Sequence, residues 1–303
     1  MVCNRTDINF GKYDTIFIIN PDTEYYIEFV NSITSILRVN GYKVIKQVGD
    51  YNLSHLDIKC NDLVILVNSS LMYFMSEYNK NRELVDKIRL IRSDYVLYQS
   101  EPKDIQDDYI NDKKNVYDNL NPIEVWTHTH DNLTDFYSKI KLIPPLYSIY
   151  YEKGLIMIRT IASKNKDTLI FMGNITEYRK AILDKLKGYR YFSIKSTIFT
   201  DERYRELYRR NLFFINLHRR DHKSTEFFRI TSLLSNGLVI ISERCNSTDE
   251  DLLSDTNIYF VERDKILDKF YELRRTLRAE EIYRRYNNFK NKCKQEDYLF
   301  NRN

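Results

Sequence analysis

Residues 216–243 gather side chains that can hold an anion at the end of a strand. Asn216-Leu217-His218-Arg219-Arg220 closes an apolar run, and Glu226 and Arg229 follow, three positions apart. On a helix beginning near Thr225 these two share a face at the amino end, close to where His218 leaves its strand. A helix amino terminus offers unpaired N–H groups and the positive end of a dipole. With His218 and Arg229 it can hold a diphosphate, while a carboxylate accepts hydrogen bonds from hydroxyl groups. Gly237 lets the chain leave that helix, and Ser242-Glu243 emerges at the carboxyl end of the next strand, where ligands of parallel sheets sit. Taken singly, Glu226 and Arg229 read as a surface ion pair and His218 as a loop histidine. Their convergence on strand ends favours a binding site.

Other candidates are scattered. Asp22, Glu101, His128 and His130 fall at predicted strand ends of the first half and have the chemistry of a general base. Asp22 is equally the cap of the helix that follows it. His128 and His130 are metal-ligand types two apart, but no third ligand accompanies them, so they read as a solvated pair and no metal is expected. Asp249-Glu250-Asp251 reads as an acidic loop rather than a metal site. The run holding Arg274, Arg275, Arg278, Arg284 and Arg285 also carries Glu272, Glu280 and Glu281 at pairing distances. It fits an amphipathic helix packing across the domains better than an anionic-surface binder.

The elements that position these residues alternate between strand and helix. Thr15-Ile16-Phe17-Ile18-Ile19 is a buried strand, Asn20-Pro21-Asp22 a turn and cap, and Tyr26, Phe29, Val30, Ile33, Ile36 and Leu37 recur at helical spacing up to Gly41. Strands are predicted at 42–47, 62–67, 95–98, 123–126 and 141–143, with a helix at 83–91. Pro144-Pro145 ends the series and marks a junction. The alternation then restarts, with strands at 167–172, 189–194, 212–217, 238–241 and 257–261 and helices at 175–187, 201–210 and 225–235. Domains are therefore expected at 1–147 and 148–303, the second ending in a charged helical segment. The fold class is α/β, two Rossmann-like units facing across a cleft.

A chain of 303 residues can bury the cores of two such units. With 47 Lys and Arg against 43 Asp and Glu, its +4 balance does not by itself point to nucleic acid. Cys3, Cys60, Cys245 and Cys293 form no Cys-x-x-Cys pair, against a zinc site or a disulfide framework. No basic start is followed by an apolar run, and nowhere do about 18 apolar residues follow one another, so neither signal peptide nor membrane span is expected and a cytoplasmic location is.

Taken together, Asn216, His218, Arg229, Gly237, Ser242 and Glu243 resemble the pattern of GT-B-type glycosyltransferases with a C-terminal donor-binding domain of the "glycosyl transferases group 1" kind. Phe171-Met172-Gly173-Asn174, followed by Tyr178-Arg179-Lys180 and Ile182-Leu183, is similar to that group's glycine loop and Arg-Arg-x-x-Ile-Leu helix. Tyr98-Gln99-Ser100-Glu101-Pro102 and the stretch Trp126-Thr127-His128-Thr129 resemble its Tyr-Gln-x-Glu and Trp-Asp-Tyr-Ser segments. The resemblance covers about residues 95–275. It implies transfer of a sugar from a nucleotide-sugar co-substrate to a glycan or other hydroxyl acceptor, without a metal or other cofactor. It implies Gly173, Arg179, His218, Glu226, Arg229, Ser242 and Glu243 on the donor, with Asp22, Glu101 or His128 as base. Ser232 stands where many members carry a ribose-binding carboxylate, so either Glu226 or Glu243 takes that role or the ribose is held differently. The same fold acting on modified nucleic-acid bases, or surviving as a silent binding protein, is the alternative.

Overall fold

The computed structural model describes residues 6–20, 26–49, 56–67, 86–99, 121–130, 139–187, 192–195, 201–219 and 224–300. The chain divides into two compact units: Met1–Pro145 together with Gln295–Asn303, and Leu146–Lys294.

In the first unit β1 (Ile16–Asn20), α1 (Ile27–Val39), β2 (Val44–Val48), β3 (Leu63–Val67), β4 (Asp94–Gln99), β5 (Glu124–Thr127) and β6 (Ile140–Leu142) follow one another. The strands form a six-stranded sheet in the order β2-β1-β3-β4-β5-β6, with every pair parallel. β1 and β3 are buried along their whole length, as continuous apolar strands of a doubly covered parallel sheet must be. Helix α1 buries Phe29, Val30, Ile33, Ile36 and Leu37 on one face, and Phe29 lies 4.3 Å from the Tyr98 ring. Buried Glu124 accepts from Thr6 Oγ1 at 2.6 Å, the Asp7 amide at 2.8 Å and Trp126 Nε1 at 2.8 Å. Trp126 is therefore a core residue held by its indole N–H.

The second unit contains α2 (Ile158–Ala162), β7 (Asn165–Met172), α3 (Glu177–Lys187), β8 (Phe192–Lys195), α4 (Asp201–Arg210), β9 (Asn211–Asn216), α5 (Phe227–Leu234), β10 (Val239–Glu243), α6 (Ser247–Leu252), β11 (Ile258–Val261), α7 (Ile266–Thr276) and α8 (Ala279–Lys292). Its sheet has five parallel strands in the order β11-β10-β9-β7-β8. Winding runs outward from β7 to β8, then restarts on the other side of β7 with β9. The topological switch point is therefore between β7 and β9. Phe171, Phe213, Ile215, Val239 and Ile241 pack with Leu183, Phe270, Leu273 and Ile282 in one core. Gly237, at φ +63° where α5 ends, has no room for a side chain: a Cβ there would lie 2.8 Å from Ile156 Cγ2.

Four expectations change. Helix α5 begins at Phe227, two residues later than Thr225, with Glu226 as its N-cap; the carboxylate makes no cap bond because it is engaged elsewhere. Asp249-Glu250-Asp251 is no loop. It lies within α6, where Asn246 Oδ1 accepts the Asp249 amide at 2.8 Å and Asp249 is fully buried. Residues from Gln295 onward belong to the first unit, not to a domain spanning 148–303. There α9 (Gln295–Leu299) bonds Ser32 and Asn40 through Gln295 and Glu296, and Phe300 packs on Phe10 at 5.8 Å and Tyr42 at 6.0 Å. An aromatic cluster that would otherwise open to water draws the chain end to it. The expected C-terminal helical segment is broken at Leu277, where the backbone becomes extended, giving α7 and α8. Among the described residues no helix is long and apolar enough to cross a membrane, and no three possible metal-ligating side chains cluster.

Lys164, just before β7, is buried, with its ammonium donating to the Tyr208 carbonyl. Desolvation lowers its pKa from 10.5 to about 8. Between those values the unfolded chain holds the proton that the folded chain has released, so stability rises with pH across that window, and the burial penalty is carried in full below it. Urea unfolding at about pH 7 and about pH 10 is expected to show a gain on the order of 2 kcal/mol that Lys164→Met abolishes.

Candidate active site

β7 and β9 are neighbours in register, with Phe171 opposite Ile215, so the loops that follow them, starting at Gly173 and Leu217, emerge side by side at the switch point. Arg179, in the first turn of α3, reaches into the gap between them and is only 3 % exposed. Its Nε donates to the Leu217 carbonyl at 3.0 Å and the His218 carbonyl at 3.1 Å, and Nη1 donates to the Asn174 carbonyl at 3.0 Å. Nη2 donates to Leu217 O at 2.8 Å and to Glu226 Oε1 at 2.5 Å. One guanidinium thus fastens the loop after β7, the loop after β9 and the start of α5. Burial pulls its pKa down to about 10; Glu226 pushes it back up and Arg229 adds to the lowering, so it stays cationic at neutral pH.

The other Glu226 oxygen accepts from Arg229 Nη2 at 2.6 Å. Arg229 Nη1 donates to Asn216 Oδ1 at 3.1 Å, Asn216 Nδ2 donates to Ser242 Oγ at 3.0 Å, and Ser242 Oγ donates to the Glu243 carbonyl at 2.9 Å. Asn216, the last residue of β9, therefore sets the direction of Arg229. The Phe171 ring centre lies 5.5 Å from the Arg179 guanidinium and 6.0 Å from that of Arg229. At Gly173, with φ +135°, a Cβ would sit 3.0 Å from Arg229 Nη2 and 3.7 Å from Arg179 Nη1. Any side chain here would cover both cations.

Ser242 and Glu243 are structural members of this network. Glu243 is buried and accepts the His218 amide at 2.7 Å, Arg263 Nε at 2.6 Å and the Tyr178 hydroxyl at 3.4 Å. Arg263 stacks 3.6 Å over the Tyr178 ring. His218 faces the Arg244 carbonyl through Nε2 at 2.7 Å; a carbonyl only accepts, so Nε2 carries the proton. Ser232 is engaged with the Tyr208 hydroxyl at 3.1 Å in the buried face of α5. In the first unit, buried His128 directs Nδ1 at the Gln99 carbonyl at 3.3 Å, where β4 ends. A carbonyl only accepts, so Nδ1 is the donor in this contact. Asp22 and Glu101 lie outside the described residues. Arg263 was missed in the sequence. It stands two residues beyond β11, where the strand-end criterion that picked out Glu243 would also have found it.

No family model and no curated protein matches the sequence. Solved structures do match. An alpha-glucosyltransferase in complex with UDP and a 13-mer DNA containing an HMU base is 12 % identical, with a TM-score of 0.63 over 95 % of this chain and 98 % of that one. Anabaena HepE, solved with UDP and glucose, is 10 % identical, with a TM-score of 0.58 over 95 % and 97 % of the two chains. Sucrose-phosphate synthase from Thermosynechococcus elongatus is 8 % identical, with a TM-score of 0.57 over 95 % of both. The fold is GT-B. At these identities the likeness is one of fold, and the GT-B frame places the switch point of the second unit at the ends of β7 and β9. That is where Gly173, Asn216, Glu226 and Arg229 meet.

Arg179 and Arg229 differ in what they hold. Arg179→Ala strips a buried cation from three carbonyls and a carboxylate and is expected to cost about 3 kcal/mol in denaturant unfolding. Arg229→Ala leaves Glu226 paired with Arg179, and its thermal midpoint is expected within a few degrees of the parent.

Proposed function

We propose that the protein is a glycosyltransferase that takes a sugar from a nucleotide-sugar donor, bound in the second unit, and passes it to a hydroxyl acceptor without a metal. The observation that carries this is the Arg179–Glu226–Arg229 cluster beside Gly173 at the switch point of the parallel sheet. In this reading Arg229, 18 % exposed at its side chain, meets the diphosphate. Arg179, saturated by its carbonyls, keeps the two loops in place as a positioning residue. Backbone N–H groups after Gly173 help to hold the phosphates. Arg229 then stabilises the charge that develops on the nucleoside diphosphate as the bond from the sugar's anomeric carbon to the phosphate oxygen breaks. A bond from the acceptor oxygen to that carbon forms, and for inversion the acceptor's proton goes to a base. Among the described residues His128, just after β5, has the chemistry for that step. Glu243 and Ser242 support the site from behind, and Glu226 is the carboxylate left to meet donor hydroxyls. UDP in the alpha-glucosyltransferase and HepE structures supports a nucleotide-linked donor.

A nucleotide-sugar panel scored by nucleoside-diphosphate release tests this. Turnover is expected with at least one donor, unchanged by chelator and reduced about 100-fold or more by Arg229→Ala. If saturation-transfer NMR detects no nucleotide sugar binding, the reading is wrong. Binding without release would mark a silent binding protein.

A second reading takes a modified nucleic-acid base as acceptor, because two of the matched structures hold DNA: the alpha-glucosyltransferase with the HMU base, and the same enzyme activity with UDP-glucose and DNA containing an abasic site. DNA affinity that falls steeply with salt would favour it, and none at low salt would remove it.

A further inference from the structure

The edge of Arg229 that Gly173 leaves open is already met by a carboxylate. A Cβ at Gly173 would lie 3.0 Å from Arg229 Nη2, and that same nitrogen donates to Glu226 Oε2 at 2.6 Å. A phosphate that approaches over Gly173 meets a donor that it has to share or take over. Glu226 cannot simply leave. Its other oxygen accepts from Arg179 Nη2 at 2.5 Å, and Arg179, 3 % exposed, is itself fixed by the Leu217, His218 and Asn174 carbonyls. Whatever Arg229 binds, a carboxylate stays beside it.

A carboxylate held in this way weighs two diphosphates differently. At neutral pH the end phosphate of a free nucleoside diphosphate carries about one more negative charge than the same phosphate esterified to a sugar, so the free form is repelled more. Hydrogen bonding acts in the same direction. Phosphate oxygens accept, and a carboxylate that gives up Arg229 to them is left with an unmet oxygen. A sugar hydroxyl donates and can meet it. With side-chain exposures of 19 % for Glu226 and 18 % for Arg229, both effects act in a partly desolvated setting, where they are larger than in water.

We propose that Glu226 makes the site selective for a sugar-linked diphosphate over the free diphosphate that transfer leaves behind: it yields Arg229 to the phosphate and takes a sugar hydroxyl in exchange. This role rests on the switch point being the donor site, and adds a reason for the product to leave. After transfer the hydroxyl is gone and the phosphate has gained charge, so Glu226 returns to Arg229 as the diphosphate departs. Arg179 positions Glu226 for both states through the bond to Oε1.

Inorganic pyrophosphate, which has the charge of a free diphosphate and no sugar hydroxyl, is the probe. Calorimetric titration into the full-length protein is expected to show binding about tenfold or more tighter for Glu226→Gln than for the parent, a gain that Arg229→Ala removes. In turnover the same glutamine change is expected to raise the donor KM about threefold or more while lowering the inhibition constant of the released nucleoside diphosphate about tenfold; a merely structural part for Glu226 would weaken both. Should the glutamine variant not fold, a crystal structure of the parent with pyrophosphate decides. Glu226 Oε2 is expected more than about 4 Å from Arg229 Nη2, with a phosphate oxygen in its place. Pyrophosphate bound no better by Glu226→Gln than by the parent, or seated with the Glu226–Arg229 bond intact, would overturn this role and leave the donor reading standing. Pyrophosphate binding that is indifferent to Arg229→Ala would overturn the donor reading itself, and this role with it.

Discussion

A buried guanidinium depends on its partners more than they depend on it, and Arg179 is the point on which the second unit's strand ends rely. Removing a cation from water costs several kcal/mol unless its donors are met. Here they are met by carbonyls from the loops after β7 and β9 and by one carboxylate at the mouth of α5. Neither loop can shift without stranding the charge. The strand pair that defines the switch point is therefore closed at its carboxyl end by a single side chain, and everything proposed to touch a donor is held relative to it.

The same economy explains Glu226. Two guanidinium groups near one another and near one aromatic ring repel, and the carboxylate between them makes the arrangement tolerable in the absence of ligand. It also leaves one net positive charge facing the glycine that keeps the approach open. A second layer, Asn216 with Ser242 and Glu243 with His218, Tyr178 and Arg263, fixes the side chains that fix the site. The candidates thus divide into two part-exposed side chains, Arg229 and Glu226, and several that hold them in place.

Much of this was legible in the residues. Apolar runs such as Ile16–Asn20 and Leu63–Val67 can satisfy their backbone and bury both faces only inside a parallel sheet, and the helical spacing after Tyr26 allows little else. Gly237 and Gly173 announced turns that only glycine permits. The spacing of Glu226 and Arg229 already placed them on one face, although the helix begins after Glu226 rather than before it. Spacing could not reveal that Ser242 pairs with Asn216 and the Glu243 carboxylate with the His218 amide. Those partners lie 25 residues or more apart, and their pairing depends on which strands adjoin.

The sequence by itself determined the kinds of element, their order, the break at Pro144-Pro145 and the residues at strand ends, because these follow from local periodicity and backbone sterics. Only the tertiary structure decided that β9 returns to the far side of β7, which brings Gly173, Arg179 and Glu226 together across about fifty residues of chain. Only it returned Phe300 to the aromatic cluster of the first unit. Strand order and charge pairing are set by burial and desolvation summed over the whole chain, and no local stretch of residues contains that sum.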